Sequence, residues 1–146
     1  MATDTIYDHP LYYDILFGFD RGNEAEFYHR TFSRCGITPG ESLLEVACGP
    51  ARIARLLARR GFRVTGLDSS AAMLELAREQ AAAQATQLAT LCEDMTAFSV
   101  SDPFGAAYNP ISSFRLLHSD SAADAHLRCM AEALRPGGVY VIDLGF

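Results

Sequence analysis

Leu43-Leu44-Glu45-Val46-Ala47-Cys48-Gly49-Pro50-Ala51-Arg52, followed by an apolar run that closes in Gly66-Leu67-Asp68-Ser69-Ser70, is the stretch on which the fold turns. Residues 42–47 are a short apolar run, and Cys48-Gly49 breaks it, which predicts a buried strand entering a tight turn. Pro50 suits the first turn of a helix, because the N–H it lacks would be unbonded there and its fixed φ matches helix entry. Ile53, Leu56, Leu57 and Arg60 then repeat at helical spacing, and Gly61 is a natural stop. A second apolar run ending in a carboxylate completes a βαβ unit, with Asp68 where ribose hydroxyls are held in nucleoside-binding crevices. The helix N-terminus in such a unit favours an anionic group. A dinucleotide fingerprint needs G-x-G-x-x-G, however, and here Gly49 is followed by Ala51. Close approach of a diphosphate to this backbone is therefore not expected, which counts against an NAD(P)-dependent oxidoreductase, the main rival reading.

Outward from this unit, apolar runs and helical patterns alternate. Strands are expected at 42–47, 63–68, 87–93, 105–109 and 138–144, and helices at 51–60, 70–84 and 121–134. Short strands separated by helices predict a parallel sheet with right-handed crossovers. Before the core lies a segment rich in tyrosine and aspartate (Tyr7, Asp8, Tyr12, Tyr13, Asp14), then an amphipathic pattern from Asn23 to Cys35. Residues 1–40 are read as a cap and 41–146 as the core of one domain, a size that 146 residues with 49% apolar content support.

A net charge of −6 argues against broad binding to nucleic acid or anionic membranes. All twelve basic residues are arginine, which reads as compositional bias. Cys35, Cys48, Cys92 and Cys129 form no C-x-x-C pair, so no metal site is expected and all four read as small apolar fillers. With no long apolar run and no signal-like start, the chain is placed in the cytoplasm.

The segment Glu45-Val-Ala-Cys-Gly-Pro-Ala-Arg52 resembles the first motif of class I S-adenosylmethionine-dependent methyltransferases, usually E/D-x-x-x-G-x-G, and Asp68 matches that family's ribose-binding acid. Cys92-Glu93-Asp94-Met95 is similar to the adenine-contacting segment after the third strand. Tyr108-Asn109-Pro110 falls where the fourth strand opens onto substrate, and Leu134-Arg-Pro-Gly-Gly138 resembles the turn into the fifth strand. The resemblance implies a Rossmann-like doubly wound α/β sheet of about five parallel strands, order 3-2-1-4-5, with helices on both faces. The family's final strands 6 and 7 are missing, which favours reading the chain as a fragment and leaves open a truncated, non-catalytic cofactor-binding module. The strand at 138–144 would then be an open edge, a possible route to a homo-oligomer.

The cofactor implied is S-adenosyl-L-methionine, with S-adenosyl-L-homocysteine as product and a small molecule as methyl acceptor. Its binding residues would be Glu45, Ala47, Cys48, Gly49, Arg52, Asp68, Ser69, Met73, Asp94, Met95 and Asn109. Asp68 would take the ribose hydroxyls, though an acid there also caps helices; Ser69 is read as the helix cap itself. Asp94 would accept from the adenine amine while the Met95 N–H donates to the ring. Arg52 would approach the methionyl carboxylate or lie solvated on the surface, and Glu45 would orient the loop, reach the cofactor's amino group through water, or be purely structural. Ala51 replaces the family's usual second glycine, at the cost of one methyl beside the loop. On the acceptor side Tyr12 and Tyr13 would close over the cofactor or pack the cap, and His9 and His118 are candidate bases.

Overall fold

A computed structural model describes residues 4–145. Five parallel strands form one sheet in the order β3-β2-β1-β4-β5, as the sequence predicts: β1 (Ser42–Val46), β2 (Arg63–Asp68), β3 (Ala89–Cys92), β4 (Phe104–Asn109) and β5 (Leu134–Ile142). The helices are α1 (Pro10–Leu16), α2 (Gly22–Arg34), α3 (Arg52–Ala58), α4 (Ala71–Ala83) and α5 (Asp120–Ala133). Among the described residues, no strand pairs with the outer edge of β5.

Alternation along β1 sends side chains to two cores. Leu43 joins Tyr28 and Phe32 of α2, Ile53 and Leu57 of α3 and Leu74 of α4 on one face. Leu44 and Val46 face the other way, against Phe98 and against Met130 and Ala133 of α5. The sheet is thus covered on both sides, which is why its central strands β1 and β4 read as near-continuous buried runs.

The β4–β5 register jumps, with Phe104 opposite Leu134 but Ala106 opposite Val139. The Arg135–Gly138 turn expected from the sequence sits inside this jump, with Gly137 at φ +77°.

Three local expectations need correction. The helix starts at Arg52, with Ala51 as its left-handed N-cap (φ +55°). Pro50 lies instead in the preceding turn, closed by the Ala51 N–H donating to the Cys48 carbonyl at 2.9 Å. The consequence of alanine for glycine at 51 is therefore backbone strain, a cost on the order of 1–2 kcal/mol; the residue is buried and takes no room from a ligand. Finally, Cys35 and Cys92 are exposed and Cys129 is half-buried, so of the four only Cys48 is a buried filler.

Cys48 fills the space above Gly66 of β2. A Cβ built on Gly66 would lie 2.7 Å from the Cys48 Sγ and 3.3 Å from its Cβ. Gly66→Ala is expected to destabilise the fold by about 1–3 kcal/mol, and adding Cys48→Ala should recover most of that loss. Urea unfolding of the single and double variants checks both halves of this statement.

Candidate functional site

Asp68 ends β2 beside the loop that leaves β1. Its Oδ2 accepts the Gly49 N–H at 2.7 Å and its Oδ1 accepts the Ser70 N–H at 2.9 Å. Gly49 has φ +52°, and only the Tyr13 ring lies near the position of a Cβ, so its conformation and not crowding by protein favours glycine. The helix cap is Ser70, not Ser69: the Ser70 Oγ accepts the Met73 N–H at 3.2 Å, from an extended backbone that suits an N-cap.

These elements border a cavity of about 740 Å³ at the carboxyl ends of β1, β2 and β4. Ala47, Leu67, Asp68, Ser69, Ser70 and Met73 form one side, and Asp94, Met95 and Thr96 the next. The turn after β4 contributes Pro110, Ile111 and Ser112, and the cap contributes Tyr7, Tyr13 and Phe17. Asp94 Oδ1 accepts both the Thr96 hydroxyl and the Thr96 N–H, each at 2.7 Å, and these bonds hold its carboxyl below the usual range. Neither the Asp94 Oδ2 nor the Met95 N–H has a hydrogen-bond partner among the described residues. Ile111 and Ser112 adopt left-handed φ of +58° and +57°, a strained turn at the rim. A larger groove of about 1120 Å³ lies beside Phe62, Val64 and Leu88, at the amino ends of β2 and β3. Open α/β sheets bind ligands at the opposite, carboxyl end.

The cap divides the aromatic candidates. Tyr13 stacks between Tyr7 and Phe17, at ring-centroid distances of 5.7 and 4.7 Å, and burial pushes its hydroxyl pKa up. Tyr12 points outward beside His9, whose Nε2 is taken by Asp4 at 2.9 Å. His118 is exposed, and neither histidine lines the cavity.

Four further expected residues act behind the cavity wall. Cys48 packs on Gly66, as described. Arg52 neither reaches the cavity nor lies solvated: it donates at 2.5 Å to both the Asp14 carbonyl and the Asp14 Oδ1. The second Asp14 oxygen accepts from Gln80 at 2.8 Å, and the Gln80 carbonyl oxygen accepts from Arg55 at 2.6 Å, so Asp14 ties α1 to both α3 and α4. Asn109 is fully buried; its amide donates to the Val46 carbonyl and accepts the Phe114 N–H, fixing the turn after β4. Glu45 lies beneath the loop, where it accepts the Tyr108 hydroxyl at 2.8 Å. The sequence pattern missed the bonding of Asp14, Gln80 and Thr96, because each partner becomes near only once the sheet has formed or the loop has turned.

A family described as a methyltransferase domain matches residues 43–138. This chain belongs to that family. An uncharacterized methyltransferase of Synechocystis sp. is 28% identical over 145 residues, covering 94% of this chain and 65% of that protein. A ubiquinone biosynthesis O-methyltransferase of Sodalis glossinidius is 30% identical over 105 residues, covering 72% and 41%. Among solved structures, a SAM-bound amino pentose methyltransferase from Micromonospora echinaspora superposes with a TM-score of 0.77 at 25% identity, over 100% of this chain and 58% of that one. An S-adenosylmethionine-dependent methyltransferase from Clostridium acetobutylicum reaches 0.80 at 18% identity, over 94% and 57%, a likeness of fold. The chain spans 40 to 65% of the length of these and similar curated relatives.

In this methyltransferase domain the first-motif acid is 2% exposed and does not reach the cavity. Burial pushes the Glu45 carboxyl from 4.5 up to about 8, against the opposing pull of the Tyr108 hydroxyl. Between these two values the folded state holds a proton that the unfolded chain has released. The associated stability is thus fully present below pH 4.5 and is lost as pH rises through about 8. Glu45→Gln should flatten that decline, which approaches about 1.4 kcal/mol per pH unit for a single proton. Denaturant midpoints of both proteins measured from pH 5 to 9 provide the check.

Proposed function

We propose that this domain binds S-adenosyl-L-methionine at the carboxyl ends of β1 and β2 and directs its methyl group to a small-molecule acceptor. The observation that carries the reading is the charge of the cavity: among the described residues, Asp68 and Asp94 are the charged groups of its lining, and no arginine or histidine joins them. Two carboxylates without a basic group suit a cationic ligand and disfavour a diphosphate, which argues against the NAD(P) reading on grounds independent of the missing glycines. The volume also falls within the range of small-ligand sites.

Each polar group has a task in this reading. Asp68 has lone pairs beyond those taken by Gly49 and Ser70 and would receive the ribose hydroxyls. The Asp94 Oδ2 would take the adenine amine, with the Met95 N–H donating to the ring. The π faces of Tyr7, Tyr13 and Phe17 would border the positive end of the ligand. The sulfonium supplies a methyl group already activated by its own charge, so the protein's part is alignment and exclusion of water. No acid need activate the donor; the proton that an O–H or N–H acceptor gives up would pass to solvent at the open rim, since neither His9 nor His118 lines the cavity.

The acceptor would meet the site at the rim formed by Ile111 and Ser112. Relatives named as O-methyltransferases and a neighbour named as an amino pentose methyltransferase support a small acceptor, oxygen or nitrogen. The net charge of −6 supports an acceptor other than nucleic acid. Among the described residues no helix is long and apolar enough to cross a membrane, in keeping with work in the cytoplasm.

Calorimetric titration tests the cofactor assignment. S-Adenosylhomocysteine should bind and NAD(P) should not. Asp68→Ala should weaken the former at least ten-fold, since hydrogen bonds to a charged group contribute roughly 1.5–3 kcal/mol each. Unchanged affinity in a variant that still melts cooperatively would remove Asp68 from the site.

A further inference from the structure

His126 of α5 is fully buried between β5 and the loop that follows β3. Its Nδ1 lies 2.8 Å from the Met95 carbonyl oxygen and its Nε2 lies 2.7 Å from the Tyr140 hydroxyl. A carbonyl only accepts, so Nδ1 carries the proton, and Nε2 of the neutral ring accepts from Tyr140. Burial lowers the ring's pKa, which keeps it neutral. Phe114 and Tyr140 meet the ring edge-on, each at 5.7 Å between centroids, and fix its plane.

The Met95 carbonyl belongs to the same peptide unit as the Thr96 N–H, and that N–H donates to the Asp94 Oδ1 at 2.7 Å. A continuous series of hydrogen bonds therefore runs from Tyr140 through His126 and the Met95–Thr96 peptide to Asp94. Bonds aligned through a peptide polarise one another, so the His126 contact strengthens the bond that sets the carboxylate. His126 is not part of the cavity lining, whereas Met95, Thr96 and Asp94 are. An apolar side chain would fill the same interior but would leave the Met95 carbonyl without its donor.

We propose that His126 is a positioning residue for base recognition, holding the Met95–Thr96 peptide so that Asp94 accepts from an exocyclic amine and selects a 6-aminopurine over a 6-oxopurine. The selection has two parts: the amine donates to the carboxylate, whereas a carbonyl in its place would set two acceptors against each other. This rests on the cavity being the S-adenosylmethionine site.

The test compares S-adenosylhomocysteine with S-inosylhomocysteine, in which an oxygen replaces the purine 6-amine and N1 carries a proton, by calorimetry on the full chain. His126→Asn and His126→Gln keep a polar group in the pocket. The shorter amide overlays Nδ1 and retains the donor to Met95; the longer one overlays Nε2 and loses it. Wild type and His126→Asn should prefer the adenosyl ligand to the same degree within about two-fold, while His126→Gln should lose about five- to ten-fold of that preference, the worth of roughly one hydrogen bond. Equal preference in all three proteins, or a loss in His126→Gln that weakens both ligands alike, overturns the positioning role. Wild type binding both ligands equally overturns it as well. Wild type binding neither removes the cofactor reading itself, an outcome distinct from the others. Should His126→Gln not fold, the same ratio is read from His126→Phe, which retains the edge-on ring contacts and lacks the donor.

Discussion

The carboxylate of Asp68 holds together parts that the chain supplies separately. It bonds the Gly49 N–H, 19 residues away, and the Ser70 N–H, and so joins the turn after β1 to the start of α4. The loop it restrains is costly in itself: Ala47, Gly49 and Ala51 all sit at φ between +52° and +55°, a region that alanine rarely enters. Strain of this kind persists only where the surroundings over-determine it. Here the surroundings are the parallel pairing of β1 with β2, the Cys48 N–H bonded to the Leu67 carbonyl at 2.9 Å, and Asp68 itself. The same group that would receive a ligand's hydroxyls is thus one that keeps the loop in shape.

Below the loop the protein buries polarity. Glu45 and Tyr108 occupy neighbouring strands at paired positions, and their side chains meet in the core with the Tyr28 ring 4.6 Å from that of Tyr108. Removing a carboxylate from water is unfavourable unless it is neutralised or bonded, and here both occur. Asn109 makes the complementary arrangement one residue on, tying β4 to the carbonyl end of β1. Glu45, Tyr108 and Asn109 thus add side-chain bonds to the backbone pairing of β1 with β4.

How much of this was readable from the chain depended on range. The strands, their order and the positions of Asp68 and Asp94 follow from apolar periodicity, turn residues and the motif resemblance, because these are local patterns that a parallel sheet uses directly. Cap assignment at Ser69 against Ser70 was a matter of one residue, decided by the Asp68 carboxylate turning back on the Ser70 N–H. Arg52 could not be placed, since its partner Asp14 is 38 residues earlier, on a cap whose packing has no periodic signature. Pro50 matches a rule for the first helical turn, yet it lies two residues before Arg52, in the turn that the Ala51 N–H closes. His126 left no mark in the sequence because a single polar residue within an amphipathic helix is ordinarily its exposed face; its meaning comes from Met95, which the fold brings beside it.

The two carboxylates of the cavity would also bear on turnover in the proposed function. Their field acts on any ligand throughout its stay, and in a partly enclosed space it is screened less than at the surface. A ligand entering as a cation and leaving with a neutral sulfur, as the proposed function has it, would be held more strongly before reaction than after it. If the cavity is the proposed site, its lining would favour the charged form over the spent one without any moving part, and added salt would narrow that gap.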